Sequence, residues 1–232
     1  MGLEDILLSA AAALALALGA APGQMLLAVL LFLACAEGLM FIPRVGFLFK
    51  FAVASLLAPQ ILAMYRVAAL GESPPLRILA DAAYLPISSM LVLVACALLP
   101  FFIGLCYFAV NGRADAFRFF FGNILKHKAP EGRHFLAFKV IMHVAAVPFT
   151  FVAPAMILKG YIGGNALEQG LVAGLVYWPA LLAILLVSLA FELVVSALPR
   201  RLGGLLSIPL LAAFLMFMFA FIYTLSLRAF GL

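Results

Sequence analysis

Residues 83–110 read AYLPISSMLVLVACALLPFFIGLCYFAV, and the wider stretch 82–112 contains no Asp, Glu, Lys or Arg. At a helical rise of about 1.5 Å per residue, this stretch exceeds the roughly 30 Å of a bilayer's hydrocarbon core. Lipid offers the backbone no water to pair with, so a spanning segment must be a helix or part of a closed barrel. The run is continuous and rich in Leu and Ala, without the alternation of a barrel strand. It therefore predicts a transmembrane helix.

The whole chain repeats that pattern. Of its 232 residues, 68% are hydrophobic and 10% are charged. A soluble domain is about half apolar and about a quarter charged, and a chain of this size leaves much of its surface in water. The composition excludes a soluble enzyme, a disordered chain and a disulfide-framed secreted domain. Cys35, Cys96 and Cys106 all lie within apolar runs and form no Cys-x-x-Cys. They read as small apolar residues.

Further spans are predicted at 25–43, 46–70, 135–158, 171–198 and 205–227, giving six with 83–110. Pro43 and Gly46 break the first pair, Pro59 is expected to kink or split the second span, and Pro179 follows Trp178 in the fifth. Residues 3–20 form an apolar helix with two readings: it lies against the bundle or in the interface, which we prefer, or it adds a seventh span. Glu4 and Asp5 precede this run with no Lys or Arg, so it lacks the positive start of a signal peptide. The expected fold class is an all-α polytopic transmembrane helix bundle, a single integral membrane domain.

The formal charge of +5 comes from cations that mostly flank the spans. One end of the bundle holds Arg44 and the loops 111–133 and 199–204, eight cations in all, against four (Arg66, Arg77, Lys159, Arg228) at the other. The bias predicts that the Arg44 end is cytoplasmic. Tyr65, Tyr84, Tyr161 and Tyr223 fall near the Arg66 end, as an interfacial aromatic belt would.

Loop 111–133 mixes Phe117, Phe119, Phe120 and Phe121 with Arg113, Arg118, Lys126, Lys128 and Arg133. Such a segment suits an interfacial helix, rings among acyl chains and cations among anionic headgroups. The plainer reading is an ordinary loop obeying the charge rule. Nucleic acid is not an expected partner, because the Phe run is too apolar and too close to the bilayer.

Ionisable residues inside spans are costly and tend to be paired or functional. Glu37, Lys50, Lys139 and Glu192 each lie six to eight residues inside the Arg44 end, a depth of roughly 9–12 Å. They are expected to converge, with Glu37 and Lys50 paired across the hairpin and His143 one turn beyond Lys139 on the same face. The competing reading has each lysine snorkelling to headgroups and each glutamate capped locally. Gly170-x-x-x-Gly174 supplies small residues for close helix packing.

Catalytic motifs are missing. His127, His134 and His143 form no His-Glu-x-x-His, and there is no Gly-x-Ser-x-Gly. No metal or cofactor is expected, and no inverted repeat is evident between residues 25–110 and 135–227.

Ile42-Pro43-x-x-Gly46, Ala58-Pro59, Arg66 and Gly71-Glu72-x-Pro74-Pro75-Leu76 together resemble the YciC-type families of bacterial inner-membrane proteins. Pro148-Phe149-x-x-x-Ala153-Pro154, Ala166-Leu167 and the tail Tyr223…Leu227-Arg228-Ala229-Phe230-Gly231 are similar as well. The resemblance implies a polytopic helical fold and an inner-membrane location, and it brings no catalytic residue. The expected role is a scaffold or accessory subunit that binds anionic lipid on the cytoplasmic side, or a partner membrane subunit or second copy. A small transporter or channel is the alternative, and a lipid-modifying enzyme is a weaker one.

Overall fold

The charge-free stretch folds as a 24-residue helix, α4, Ile87–Val110. The computed structural model describes residues 3–19, 21–39, 41–42, 44–111, 113–121, 132–197 and 200–232, with side chains except at 114, 115, 132, 192, 195–197 and 200–207. Among the described residues the chain is built of helices joined by turns and short irregular links, with no strand. Five helical segments are long and apolar enough to cross a membrane, and a pair bent by 88° makes six if it is one broken span. The chain is thus a multi-pass, all-α membrane protein.

α4 begins at Ile87, not at residue 83, because Leu85 precedes Pro86 and both are extended. The residue before a proline is held out of the helical region, so the chain cannot run helically into α4. The residues before it form a 3₁₀ helix, Leu76–Tyr84, that rests Leu76, Ile78 and Leu79 on the core and exposes Arg77 and Asp81.

The remaining α-helices are α1 (Leu3–Gly19), α2 (Pro22–Leu39), α3 (Gly46–Ala69), α5 (Ala114–Phe121), α6 (Gly132–Ala146), α7 (Val152–Lys159), α8 (Gly164–Val176), α9 (Trp178–Ala197) and α10 (Arg200–Ala229). α2 and α3 form an antiparallel hairpin. Pro59 leaves α3 continuous and is itself buried. α4 packs against both α3 and α6, α7 packs on α8, and α10 touches α1, α2, α3, α7 and α9.

α1 runs antiparallel along α10. Thr224 donates to the Ser9 carbonyl at 3.0 Å and Arg228 pairs with Asp5 at 2.9 Å. The small residues Ser9, Ala13 and Ala17 recur every fourth position and are buried, while Leu7, Leu14 and Leu18 are exposed. Small residues at that spacing let two helices approach closely. The helix follows α10, itself a spanning helix, along its length. Its 17 residues make a rod of about 25 Å.

Two predicted spans are interrupted, the first within a single span, Arg133–Lys159, and the second by a sharp bend. Residues 135–158 divide into α6 and α7 at the 3₁₀ turn Val147–Phe149, where Pro148 supplies no backbone N–H. Residues 171–198 do not form one kinked rod. α8 and α9 meet at 88°, with α8 ending at Tyr177 where its N–H reaches Ala173 O. Pro179 cannot supply the N–H that would continue α8, and it is tolerated in the first turn of α9, where that N–H has no helical partner, so the helix restarts in a new direction. Gly160 ends α7 in the left-handed conformation at φ 70°, and the N–H groups of Gly160 and Tyr161 satisfy the carbonyls of Met156 and Ala155.

Candidate functional site

Lys50 Nζ donates to Glu37 Oε1 at 2.6 Å, closing the α2–α3 hairpin. Lys139 and His143 sit on α6, beyond α4, and face α9. Lys139 lines a cavity of about 110 Å³ with Leu136, Val140, Leu189 and Leu193, and its ammonium lies 5.3 Å from the Phe135 ring centroid. Of the residues expected to converge, Glu37 and Lys50 pair across the hairpin as expected, and Lys139 and His143 share the α6 face toward α9. Glu192 lies on α9, and its side chain is outside the described residues.

The Phe-rich loop departs from expectation at Phe119 and Phe120. Both rings are buried inside the bundle rather than among acyl chains. α5 folds back so that the Phe120 ring lies 4.8 Å from Phe47, 4.9 Å from Phe138 and 5.6 Å from Phe101. Edge-to-face contacts of this kind stabilise beyond simple burial. Phe117 and Phe121 are half-buried at the rim of the same cluster. Arg113, Arg118 and Arg133 stay exposed at this end, while Lys126 and Lys128 lie outside the described residues.

At the other end only Tyr84 and Tyr161 have the exposure of a belt. Tyr65 and Tyr223 are core residues. The Tyr65 hydroxyl donates to Met216 O at 2.7 Å and so ties α3 to the middle of α10. Beside it, Arg66 donates to Ile157 O at 2.8 Å in the last turn of α7, where unpaired carbonyls favour a cation.

Gly170 and Gly174 both serve packing within the chain. A β-carbon at Gly170 would lie 2.7 Å from Val152 Cα, so α8 rests on the backbone of α7. One at Gly174 would lie 3.2 Å from Leu181 Cδ1 and 3.4 Å from Pro148 O, which brings the two helix breaks together.

Those breaks open space around them. A partly open cavity of about 260 Å³ lies between α6, α9 and α10, lined by His143, Thr150, Ser188, Phe214 and Phe219 among others. A second, about 210 Å³, shares Ala146 and Thr150 with it on the other side of the turn. A third, about 380 Å³, is walled by hydrocarbon together with Cys96. The polar groups of the first cavity have defined roles. His143 Nδ1 faces Lys139 O at 2.8 Å, and since a carbonyl only accepts, Nδ1 carries the hydrogen. A neutral ring then leaves Nε2 as an acceptor. Thr150 donates its hydroxyl hydrogen to Val147 O at 2.8 Å.

Sequence reading singled out His143 but not Thr150 or Ser188. Thr150 stands seven residues after His143, the spacing of two helical turns, which could have marked it. Ser188 belongs to a different helix and carries no such signal. Among the described residues, no group of three His, Cys, Asp or Glu side chains comes together. Comparison with family models, curated proteins and solved structures finds no match to the chain.

Proposed function

We propose that this chain is a non-enzymatic protein of the bacterial inner membrane, a scaffold or accessory subunit that holds lipid or a partner membrane protein. The observation that carries this reading is the mainly apolar lining of the cavities beside the helix breaks, hydrocarbon and Cys96 in the one of about 380 Å³, which suits acyl chains rather than ions. The local pairing of Glu37 with Lys50 supports it, since that pair is spent on the hairpin and lines none of these cavities. Exposed Arg113, Arg118 and Arg133 at the end read as cytoplasmic suit anionic headgroups. Kinship with the YciC-type families is part of the proposal and rests on the motifs at 42–76 and 148–167.

Native mass spectrometry from a gentle detergent tests the reading. Retained phospholipid, enriched in anionic headgroups, or a co-purifying membrane chain is the expected result. A bare, lipid-free monomer overturns it.

One observation favours transport as a second reading. The Val147–Phe149 turn packs against both α8 and α9, and discontinuous helices that meet are how many transporters build substrate sites. Solute flux in proteoliposomes above that of protein-free vesicles would move the balance to this reading.

A further inference from the structure

We propose that the cavity between α6, α9 and α10 binds a neutral lipid whose head is a hydroxylated aromatic ring, such as a prenylated phenol or a hydroquinone. The inference rests on the lipid-holding function above and names the lipid class.

Three observations select this occupant. The first is size. A dry cavity of about 150 Å³ accommodates benzene. The volume here, about 260 Å³, admits a substituted ring and the first carbons of a tail, which would leave through the open side. The second is charge. Among the described residues no Asp, Glu, Lys or Arg lines the cavity, and an unpaired ionic head would be costly there. The walls include Phe214 and Phe219, whose rings offer faces and edges to an aromatic head.

The third observation is polarity of a definite sense. His143 spends its Nδ1 hydrogen on Lys139 O, so in the neutral ring Nε2 is an acceptor. Thr150 spends its hydroxyl hydrogen on Val147 O, leaving its oxygen to accept. Ser188 adds a hydroxyl that can act either way. A site with two committed acceptors favours a ligand that donates an O–H, a phenol or quinol, over a ketone or an ester, which only accepts.

The test uses the full chain in nanodiscs of phosphatidylethanolamine and phosphatidylglycerol, titrated with 4-decylphenol and with decylbenzene. Partition into protein-free nanodiscs is subtracted. One hydrogen bond to an otherwise unpaired group is expected to favour the phenol by roughly tenfold. His143→Phe should remove most of that preference and Ser188→Ala part of it, while Ala146→Leu should block both probes by filling the cavity. Equal affinity for the two probes in the unaltered protein overturns the proposal, as does a preference that survives both His143→Phe and Ser188→Ala. If the preference is absent but phospholipid persists in native spectra, this inference fails and the accessory-subunit reading stands. Loss of both phospholipid and probe binding overturns both.

Discussion

Gly170 and Gly174 look equivalent in the sequence and are not equivalent in the structure. Gly170 faces backbone, Val152 Cα and N, whereas Gly174 faces chiefly the tip of Leu181. A leucine tip can rotate aside and a backbone cannot. Gly170→Ala is therefore expected to lower stability by about 1–3 kcal/mol, and Gly174→Ala by clearly less, in thermal unfolding followed in detergent. A second residue-scale expectation concerns Glu37 and Lys50. Their side chains are 46% and 24% exposed, so the pair contributes modestly, about 1 kcal/mol or less where water reaches it. Lys50→Met should still destabilise more than Lys50→Met combined with Glu37→Gln, because the single change leaves a carboxylate without the partner it has at 2.6 Å. Equal melting of the single and double variants would show that the pair contributes nothing.

At the scale of the element, α5 illustrates what sequence patterning reveals and what it conceals. Phe119 and Phe120 beside Arg118 have the composition of an interfacial helix, and composition cannot say which ring turns inward. That choice is made by Phe47, Phe101, Phe108 and Phe138, which come from three other helices and form a pocket only after those helices pack. Phe120→Ala should cost about 3–5 kcal/mol and raise amide exchange across 114–121, whereas Arg118→Ala should stay within about 0.5 kcal/mol. The spans themselves were legible because about 20 apolar residues in a row have few other solutions in lipid. The 88° turn at Tyr177 was not, since Pro179 announces a break without giving its angle. Of the candidate site, the Glu37–Lys50 hairpin was readable from Pro43 and Gly46. The grouping of His143 with Ser188 was not, because it depends on how α9 seats against α6. Tyr65 misled for a related reason: its position near a span end suggests a belt, and its hydroxyl instead finds Met216 O.

At the scale of the whole molecule, the two ends carry different chemistry. The Arg44 end gathers the Phe cluster and the exposed arginines Arg44, Arg113, Arg118 and Arg133, and the Arg66 end gathers the 3₁₀ helix, Tyr84 and Tyr161. If the charge bias sets orientation, Arg118→Cys and Arg77→Cys, made in a chain lacking Cys35, Cys96 and Cys106, should label from opposite faces. An impermeant maleimide should reach position 77 in intact spheroplasts and position 118 only in inverted vesicles. Labelling of both from one face would reverse the assignment of the ends.

The pairing of α1 with α10 also has a consequence in time. Arg228 and Asp5 are 223 residues apart, so α1 leaves the ribosome long before its partner has been made. At roughly 5–20 residues per second, its Ser9–Ala13–Ala17 face waits on the order of ten seconds or more without a groove to fill. During that interval the face must be covered by lipid or by the insertion machinery. Arrival of α10 then displaces that cover and closes the bundle. A chain stopped before Thr224 would lack the contacts that seat α1, so the placing of α1 waits for α10.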